Sequence, residues 1–501
     1  MQRLSGMDGM FLSVDSSSSN GAMGGLIIYE APDDPEAGSA ARVRARIEAR
    51  LDAIPPFRWK LTGVPLGINN AYWTEAGEVD VSAHIREITL RAPGSDRELA
   101  AEIARIMEQG VDMDRPPWDF YVIHGLEGGR LAHLLRIHHG AIDGGTVPLV
   151  LDLLSDNPTV EANPEDSRRH YRRLLGIRIT GGKAEAAARG VLDVAGAPAR
   201  ALALGGRTVK FLHGRREQEG LLALPAFMAR MLPGPLSKPV GVLVNGRLRA
   251  AGTQEAQPLI STIRRPSSPF NGRVTANRAY AFAELPLADF KRAGKALGGT
   301  LNDAVVSVCA GALRRYMLAT GEDADTPLVV CVPASVRTGE EEERWANHIS
   351  MFFAEFPVHL EDPVERLRFV HEELKTARQN FEAMPTHLFR DAMRFVPQTL
   401  WNTSVRLLDK APDWVPGATW NVVVSNVRGP SHTLQVCGAT MAGYWPAAFL
   451  TPGIGMNITL QSYKDTLDFG FMACSDLIPD LWDMPRYMGE TLTELLAAVD
   501  A

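Results

Sequence analysis

Two adjacent histidines, an aspartate and paired glycines stand close together in the run Ile-His-His-Gly-Ala-Ile-Asp-Gly-Gly at 137–145. Imidazole titrates near neutral pH, so His139 is predicted to be the general base that takes a proton from an alcohol. Asp143 is expected to shape the loop, through either the imidazole or an arginine. Gly144 and its neighbour allow a tight turn and close approach of a substrate. His138 is expected to support the loop or the channel wall, because a histidine at a strand end is usually a hydrogen-bonded structural residue.

Strands and helices must hold this loop in position. Residues 131–137 alternate as a strand does and end directly at the two histidines, which predicts that a strand positions them. The same criteria predict further strands and helices. The predicted strands are 25–29, 131–137, 279–283, 328–332, 422–425 and 467–472, and the predicted helices are 41–51, 96–108 and 302–318.

Length and charge indicate how these elements are divided. A chain of 501 residues is too long for one core, and we predict an N-terminal domain at 1–165, a helical and irregular connection at 166–265 and a C-terminal domain at 266–501. The net charge of −7 hides a segment, 168–216, with twelve Lys or Arg and two acidic residues. This basic segment carries +10 and the remaining chain −17.

Several classes of protein are disfavoured by what the sequence lacks. The overall acidic charge gives no reason to expect nucleic acid as a partner. The cysteines are scattered without metal-ligand spacing, which predicts no metal site and a reduced, cytoplasmic chain; they are Cys309, Cys331, Cys437 and Cys474. No secretory leader and no uncharged apolar run of about 18 residues is present. The motifs of serine hydrolases, P-loop NTPases and Rossmann dehydrogenases are also missing.

Five further blocks accompany the histidine loop in order along the chain. They are Asp-Arg-Pro-Pro-Trp at 114–118, Thr-Leu-Asn-Asp at 300–303, Pro-Ala-Ser-Val-Arg at 333–337, Ser-Asn-Val-Arg-Gly-Pro at 425–430 and Pro-Gly-Ile-Gly-Met-Asn-Ile at 452–458. Together with the loop, they resemble the HHxxxDG, PLW, ND, PVSVR, SNVPGP and glycine-loop motifs of the bacterial wax ester synthase/acyl-CoA:diacylglycerol acyltransferase family. That family is a branch of the CoA-dependent acyltransferases.

The resemblance implies an α/β (α+β) protein with two chloramphenicol-acetyltransferase-like domains and an active-site channel at their interface. It implies transfer of a long-chain acyl group from acyl-CoA to diacylglycerol, and to long-chain alcohols as a lesser activity. Acyl-CoA would be a substrate, and no cofactor or metal is expected. Two alternatives stay open: an acyltransferase for another hydroxylated lipid or polyketide acceptor, and a catalytically weak protein that binds neutral lipid.

The resemblance also assigns roles outside the histidine loop. Asn302 is the first candidate for the donor that stabilises the oxyanion, with Asp303 beside it. The alternative for Asn302 is an N-cap of the following helix. Arg337 is a possible salt-bridge partner of Asp143, which would couple the two halves of the chain.

Channel-lining residues are expected at two places, Trp118 and the block at 425–430. From this block the candidates are Ser425, Asn426, Arg428 and Gly429. Arg428 replaces the usual proline of the family, and its effect stays open. The alternative for Trp118 is a packed core aromatic, and the alternative for the block is a turn that ends a strand.

The basic segment suggests how the chain meets its substrates. Diacylglycerol and long-chain alcohols reside in lipid, and each Lys or Arg near an anionic membrane contributes about 1 kcal/mol. We therefore expect peripheral attachment to a membrane or lipid-droplet surface without a membrane span. A solvated linker is the alternative.

Overall fold

The computed structural model describes residues 2–4, 6–63, 71–160, 266–335, 345, 347, 349–383, 403 and 420–500. The helices of eight residues or more in this part are α1 (Gly6–Ser13), α2 (Ala40–Arg50), α3 (Asp96–Met107), α4 (Val147–Leu154), α5 (Leu287–Ala296), α6 (Leu301–Ala319), α7 (Pro363–Ala383) and α8 (Asp483–Asp500). The strands are β1 (Gln2–Arg3), β2 (Ala22–Tyr29), β3 (Trp59–Thr62), β4 (Tyr72–Glu75), β5 (Ile85–Thr89), β6 (Trp118–His124), β7 (Leu131–His138), β8 (Arg278–Pro286), β9 (Leu328–Ser335), β10 (Ile349–Phe356), β11 (Val422–Val427), β12 (Gln435–Val436), β13 (Ala439–Ala447), β14 (Met456–Tyr463) and β15 (Thr466–Cys474).

Two six-stranded sheets form the frame of the molecule. The first has the order β12-β13-β2-β7-β6-β5, the second has the order β10-β9-β11-β14-β15-β8, and a small sheet β1-β4-β3 flanks them. Both large sheets mix parallel and antiparallel neighbours, such as parallel β5 with β6 and antiparallel β6 with β7. The predicted α/β (α+β) class with two sheet-bearing halves is confirmed.

The strand β13 is exchanged between the halves. It follows β11 in the sequence but pairs antiparallel with β2 of the first sheet, with Tyr444 opposite Ile27. A close approach to the second sheet is possible because residue 470 is a glycine: a Cβ there would lie 1.7 Å from the Pro446 carbonyl oxygen. The predicted C-terminal domain therefore contributes strands to both sheets. The predicted boundaries stay a prediction, since 161–265 lies outside the described residues.

Three apolar cores hold these layers together. One lies within each half, and the third joins them, because α3 packs on the first sheet and against β8 of the second. Ser95 caps α3 in a capping box with Glu98, and the helix buries Leu99 and Ile103 at helical spacing. The third core also contains Tyr280 and Trp445, so the two halves share one apolar layer.

Every strand and helix predicted from the sequence is present, with bounds shifted by a few residues. The strand β7 differs in one respect from its alternating pattern, because all of its residues are buried. It is a central strand whose two faces are both covered by other elements. No single described helix is long and apolar enough to cross a membrane; α5 and α6 pass that test only as a pair bent by 101°.

Candidate active site

The histidine loop begins where β7 ends, between β2 and β6. The backbone N–H of His139 donates to the Gly21 carbonyl over 2.8 Å, which ties the loop to the start of β2. The His139 side chain is 8% exposed and lines a cavity, whereas His138 is 1% exposed. The central strand therefore presents one histidine to the cavity and encloses the other.

Aromatic rings and one amide surround the His139 imidazole. The Phe11 ring lies 3.9 Å from it between centroids, and Phe449 approaches edge-on at 5.5 Å. The Asn347 amide nitrogen lies 2.9 Å from the His139 carbonyl oxygen and 3.3 Å from Nδ1. Burial lowers the pKa of His139 to about 4, although the charge of Asp143 acts in the opposite direction. At neutral pH the imidazole is therefore uncharged and able to accept a proton.

His138 braces the loop from behind. Its Nδ1 accepts a hydrogen bond of 3.0 Å from the Gly140 N–H, so the proton of the neutral ring is on Nε2, which faces the Asp15 carboxylate at 3.3 Å. Asp15 also accepts from the Gly21 N–H over 2.7 Å. Burial acts to raise the pKa of Asp15, but its hydrogen bonds to His138 and Gly21 outweigh it and lower this pKa. This geometry fits the supporting role predicted for His138.

Asp143 is fully enclosed at the end of the same loop. Its Oδ1 accepts a hydrogen bond of 2.7 Å from the Thr146 hydroxyl, and its carbonyl accepts from the Thr146 N–H. Gly144 follows, starts the short 3-10 turn that leads into α4, and lines the cavity. Arg337, the partner expected for Asp143, lies outside the described residues.

The cavity lies between the two halves and has a volume of about 220 Å³. Its wall is mainly apolar, with contributions from Met10, Val14, Met23, Val147, Ile349 and Met351. The polar side chains of β11 and β14 that reach it are Ser425, Asn457, Thr459 and Gln461. Ser425 and Thr459 are register partners, so these groups form a row on the wall contributed by the second half.

Strand alternation separates this row from the opposite face of the sheet. Val424 and Ile458, which alternate with the cavity residues, belong to the core beneath the helices. Asn426 has the same parity as Val424, and its Nδ2 donates to Asn302 Oδ1 over 3.4 Å. Asn302 is therefore placed with the helix side of the second sheet.

The position of Asn302 supports neither of the two roles considered for it. It is not among the cavity-lining residues, so the structure gives no support to Asn302 as the oxyanion donor. The N-cap of α6 is Thr300, whose hydroxyl accepts from the Asp303 N–H in a capping box; the N-cap alternative for Asn302 is wrong. Asp303 also accepts from His371 Nδ1 at 2.9 Å, so it joins α6 to α7.

Trp118 lies in the core and not in the channel. Its ring stacks between Phe57 at 4.4 Å and His84 at 4.1 Å, and its Nε1–H donates to the Phe57 carbonyl over 3.0 Å. Because it is only 1% exposed, the channel prediction for Trp118 is wrong and the packing alternative is correct. The Trp indole satisfies its polar atom internally, as buried tryptophans usually do.

The block at 425–430 reaches the cavity through Ser425 and Val427. Asn426 is on the opposite face, Arg428 is exposed, and the Gly429 N–H donates to the Ser462 hydroxyl over 3.1 Å. Asn426 therefore faces away from this cavity, and the channel role of Arg428 and Gly429, which follow the end of β11, stays a prediction.

The sequence interpretation missed four residues that surround the two histidines. They are Phe11, Asp15, Asn347 and Phe449. Each is far from the loop in the sequence and in a segment without a chemical motif. Within the described residues no group of three or more His, Cys, Asp or Glu could hold a metal ion, and all four cysteines are buried.

Known proteins match the chain over its full length. Residues 4–305 match the wax ester synthase/diacylglycerol acyltransferase catalytic domain, and residues 345–496 match the WS/DGAT C-terminal domain. A putative diacylglycerol O-acyltransferase of Mycobacterium tuberculosis is 30% identical over 100% of this chain and 91% of its own. The O-acyltransferase WSD of Acinetobacter baylyi is 28% identical over 98% and 96%.

Solved structures share the fold. The wax ester synthase/diacylglycerol acyltransferase from Marinobacter aquaeolei VT8 aligns with a TM-score of 0.64 at 21% identity, over 100% of both chains. A condensation domain of the calcium-dependent antibiotic synthetase aligns with a TM-score of 0.57 at 15% identity, over 100% and 98%. At these identities the likeness establishes the fold alone.

Two sheet-bearing halves are the fold that this chain shares with the solved wax ester synthase/diacylglycerol acyltransferase and with the condensation domain. The matches over both halves make the finer assignment: the chain belongs to the wax ester synthase/diacylglycerol acyltransferase family. The predicted resemblance and the predicted acyltransferase class are confirmed.

Proposed function

We propose that the chain transfers the acyl group of a long-chain acyl-CoA to the hydroxyl of diacylglycerol, and as a lesser activity to long-chain alcohols. The observation that carries the proposal is the uncharged His139 imidazole on the wall of an apolar cavity between the halves. The names of the relatives, diacylglycerol O-acyltransferase and wax ester synthase, agree with it.

The chemistry needs one base and no acyl-enzyme, because a thioester is already activated. His139 Nε2 takes the proton of the acceptor hydroxyl while that oxygen attacks the thioester carbonyl carbon. The tetrahedral intermediate then collapses, the carbon–sulfur bond breaks, and the thiolate of CoA takes the proton from the imidazolium. General base catalysis of this kind contributes roughly 10²–10⁴-fold.

A hydrogen-bond donor must face the oxyanion of this intermediate. With Asn302 on the helix side of the sheet, the hydroxyl of Ser425 takes its place in the proposal. Ser425 lines the same cavity as His139 but comes from the other half. The two halves would thus supply the base and the oxyanion donor separately.

The polar row favours diacylglycerol as the acceptor. Gln461 is buried, and within the described residues its Nε2 has no hydrogen-bond partner. The Thr459 hydroxyl already donates to Asn457 Oδ1 over 2.8 Å. An ester carbonyl of diacylglycerol would accept from Gln461, whereas a simple long-chain alcohol has no such group. Satisfying a buried donor contributes about 1 kcal/mol or more.

The direct test offers radiolabelled acyl-CoA with diacylglycerol, hexadecanol or no acceptor, followed by thin-layer separation and a thiol assay. We expect labelled triacylglycerol, less wax ester and little hydrolysis. His139→Ala should remove turnover, and the matched variant His138→Ala should keep much of it. A wild-type chain that makes no ester with any alcohol would point to the lipid-binding alternative.

Membrane attachment is part of the proposal and concerns the basic segment 168–216, which lies outside the described residues. Its charge of +10 suits an anionic surface on which the apolar acceptor is presented. We expect sedimentation with anionic but not neutral vesicles, weakened by salt. Deletion of 168–216 with unchanged binding and unchanged activity on vesicle-embedded diacylglycerol would exclude this role.

A further inference from the structure

Asn347 is the one described side chain of the second half whose hydrogen bonds reach His139. Its side-chain nitrogen lies 2.9 Å from the His139 carbonyl oxygen. A carbonyl oxygen only accepts, so the atom beside it must be the amide nitrogen and not Oδ1. The orientation of the Asn347 amide is therefore fixed by a main-chain atom of the histidine loop.

That same carbonyl oxygen bears on the tautomer of the base. The main-chain carbonyl of His139 acts to raise the pKa of its own ring, as an acceptor beside a protonated ring nitrogen does. Nδ1 is the ring nitrogen within reach of that oxygen, so Nδ1 carries the proton and Nε2 has the free lone pair. A base that must deprotonate an alcohol through Nε2 needs this tautomer. Rotation of the carbonyl away from the ring would remove the acceptor that stabilises the tautomer with the proton on Nδ1.

A small movement of the Asn347 amide would favour the other tautomer of His139. Its nitrogen is 3.3 Å from His139 Nδ1. Were it to donate to Nδ1, the proton would shift to Nε2 and the base would be blocked. The shorter contact with the carbonyl oxygen keeps the amide in the productive arrangement, in which Asn347 and Nδ1 both donate to one oxygen.

The described hydrogen bonds of the Asn347 side chain are made by its nitrogen alone. Asn347 is 8% exposed, and among the described residues its Oδ1 has no hydrogen-bond partner. The two atoms that this nitrogen contacts, the carbonyl oxygen and Nδ1 of His139, both belong to the proposed base.

We propose that Asn347 is a positioning residue that holds the His139 carbonyl and so keeps the imidazole in the tautomer with a free Nε2. The inference rests on the proposed acyl transfer with His139 as the base. It makes the base dependent on the docking of the second half, because Asn347 precedes β10 of the second sheet and His139 follows β7 of the first.

The test compares Asn347→Ala, Asn347→Ser and Asn347→Asp in the full chain, with radiolabelled acyl-CoA and diacylglycerol. Asn421→Ala is the matched control, since Asn421 is also a buried amide, and it donates to Ser268 and accepts from the Val329 N–H. Asn347→Ala should lower kcat on the order of tenfold or more, within the range of general base catalysis, and leave KM for acyl-CoA nearly unchanged. Asn347→Ser, which keeps a donor, should recover part of kcat.

Asn347→Asp gives a readout that a purely structural role would not move. Besides residue 347, the charged or titratable groups that act on His139 from the described part of the chain are Asp143 and His138. A new carboxylate beside the ring favours the imidazolium and raises the pKa of His139 from about 4, so the acid limb of the kcat profile should move to higher pH. Asn421→Ala should lower Tm without moving this limb.

The outcomes separate the inference from the proposed function. A wild-type chain without ester synthesis overturns the proposed function itself. An active wild type with Asn347→Ala at full kcat, or with the acid limb unmoved in a folded Asn347→Asp chain, overturns the positioning role alone. If Asn347→Ala does not fold, the Ser and Asp variants decide, since both keep a polar side chain at this position.

Discussion

The main-chain N–H of Tyr444 donates to Oδ2 of Asp468 over 2.8 Å, and this bond joins the exchanged strand β13 to β15 of the second sheet. Asp468 is fully buried, and its Oδ1 accepts from the Thr466 hydroxyl over 2.7 Å. Burial raises the pKa of Asp468 to about 7, with repulsion from Glu284 adding to it and the two hydrogen bonds opposing it. A carboxyl that titrates near neutrality therefore sits at the junction of the halves.

Replacement of Asp468 should change how stability depends on pH. The folded pKa is raised above the unfolded value, so the stabilisation from this group is present at acid pH and lost as pH rises through about 7. Between about pH 5 and pH 8 the wild type should lose on the order of 2 kcal/mol from this group, and Asp468→Asn should not. Denaturant unfolding at both pH values checks this, with exposed Asp465→Asn as control. An equal loss in both variants and the wild type would contradict it.

Arg136 is expected to be a major contributor to the stability of the first half. It is 1% exposed, forms a two-pronged ion pair with Asp119, and donates to the Ile106 and Gln109 carbonyls at the end of α3. Arg136→Met leaves the buried Asp119 with only the 3.9 Å contact to the half-exposed Arg86, which should cost about 3–5 kcal/mol in the free energy of unfolding.

Two comparisons sharpen this prediction. The exposed Arg105, paired with Glu102, should cost less than about 1 kcal/mol when changed to Met. The double variant Arg136→Met with Asp119→Leu should unfold at higher denaturant than Arg136→Met alone, because no charge is then left buried. Similar losses for Arg136→Met and Arg105→Met would show that the buried ion pair contributes no more to the free energy of unfolding than the exposed pair.

Ser425→Ala tests the oxyanion donor. Loss of one such donor costs about 2.7–4 kcal/mol in the activation barrier, so kcat should fall roughly 10²–10³-fold with the fold intact. Ser462→Ala is the matched control, because its hydroxyl holds the Gly429 N–H and it is not among the cavity-lining residues. Near-normal kcat in a folded Ser425→Ala chain would show that Ser425 is not the oxyanion donor.

Gln461→Leu should change the choice of acceptor. Removing the unpartnered Nε2 takes away the proposed hydrogen bond to an ester carbonyl, so kcat/KM for diacylglycerol should fall roughly 2- to 10-fold. Hexadecanol has no ester group, and its kcat/KM should stay the same or rise. The exposed Gln435 serves as the control when changed to Leu. A parallel loss with both acceptors would mean that Gln461 serves packing or acyl-CoA binding.

The sequence predicts the loop better than its surroundings. The alternating run before His138 predicts β7, and the paired glycines predict a turn, because these signals are local. Phe11 and Asn347 contact His139 from positions more than a hundred residues away, where neither carries a chemical signature. Contacts of that kind are set by tertiary packing, which no local spacing contains.

Strand parity explains the corrections in the second half. The block at 425–430 contains several polar residues, but a strand sends alternate side chains to opposite faces, so Ser425 meets the cavity while Asn426 meets Asn302. Which set of alternate side chains of β11 faces the cavity depends on the packing of the helices on the other side of the sheet. The exchange of β13 is equally invisible locally, since its pairing with β2 is decided between segments far apart in the sequence.

That pairing imposes an order on biosynthesis. Residues 22–29 leave the ribosome early, but β13, which covers their open edge, is made roughly 400 residues later. At about 5–20 residues per second the nascent chain waits roughly 20–80 seconds with an unpaired strand edge. Exposed edges are templates for aggregation, so the first half depends on shielding until the end of translation, and fragments that stop before residue 439 would lack the strand that closes it.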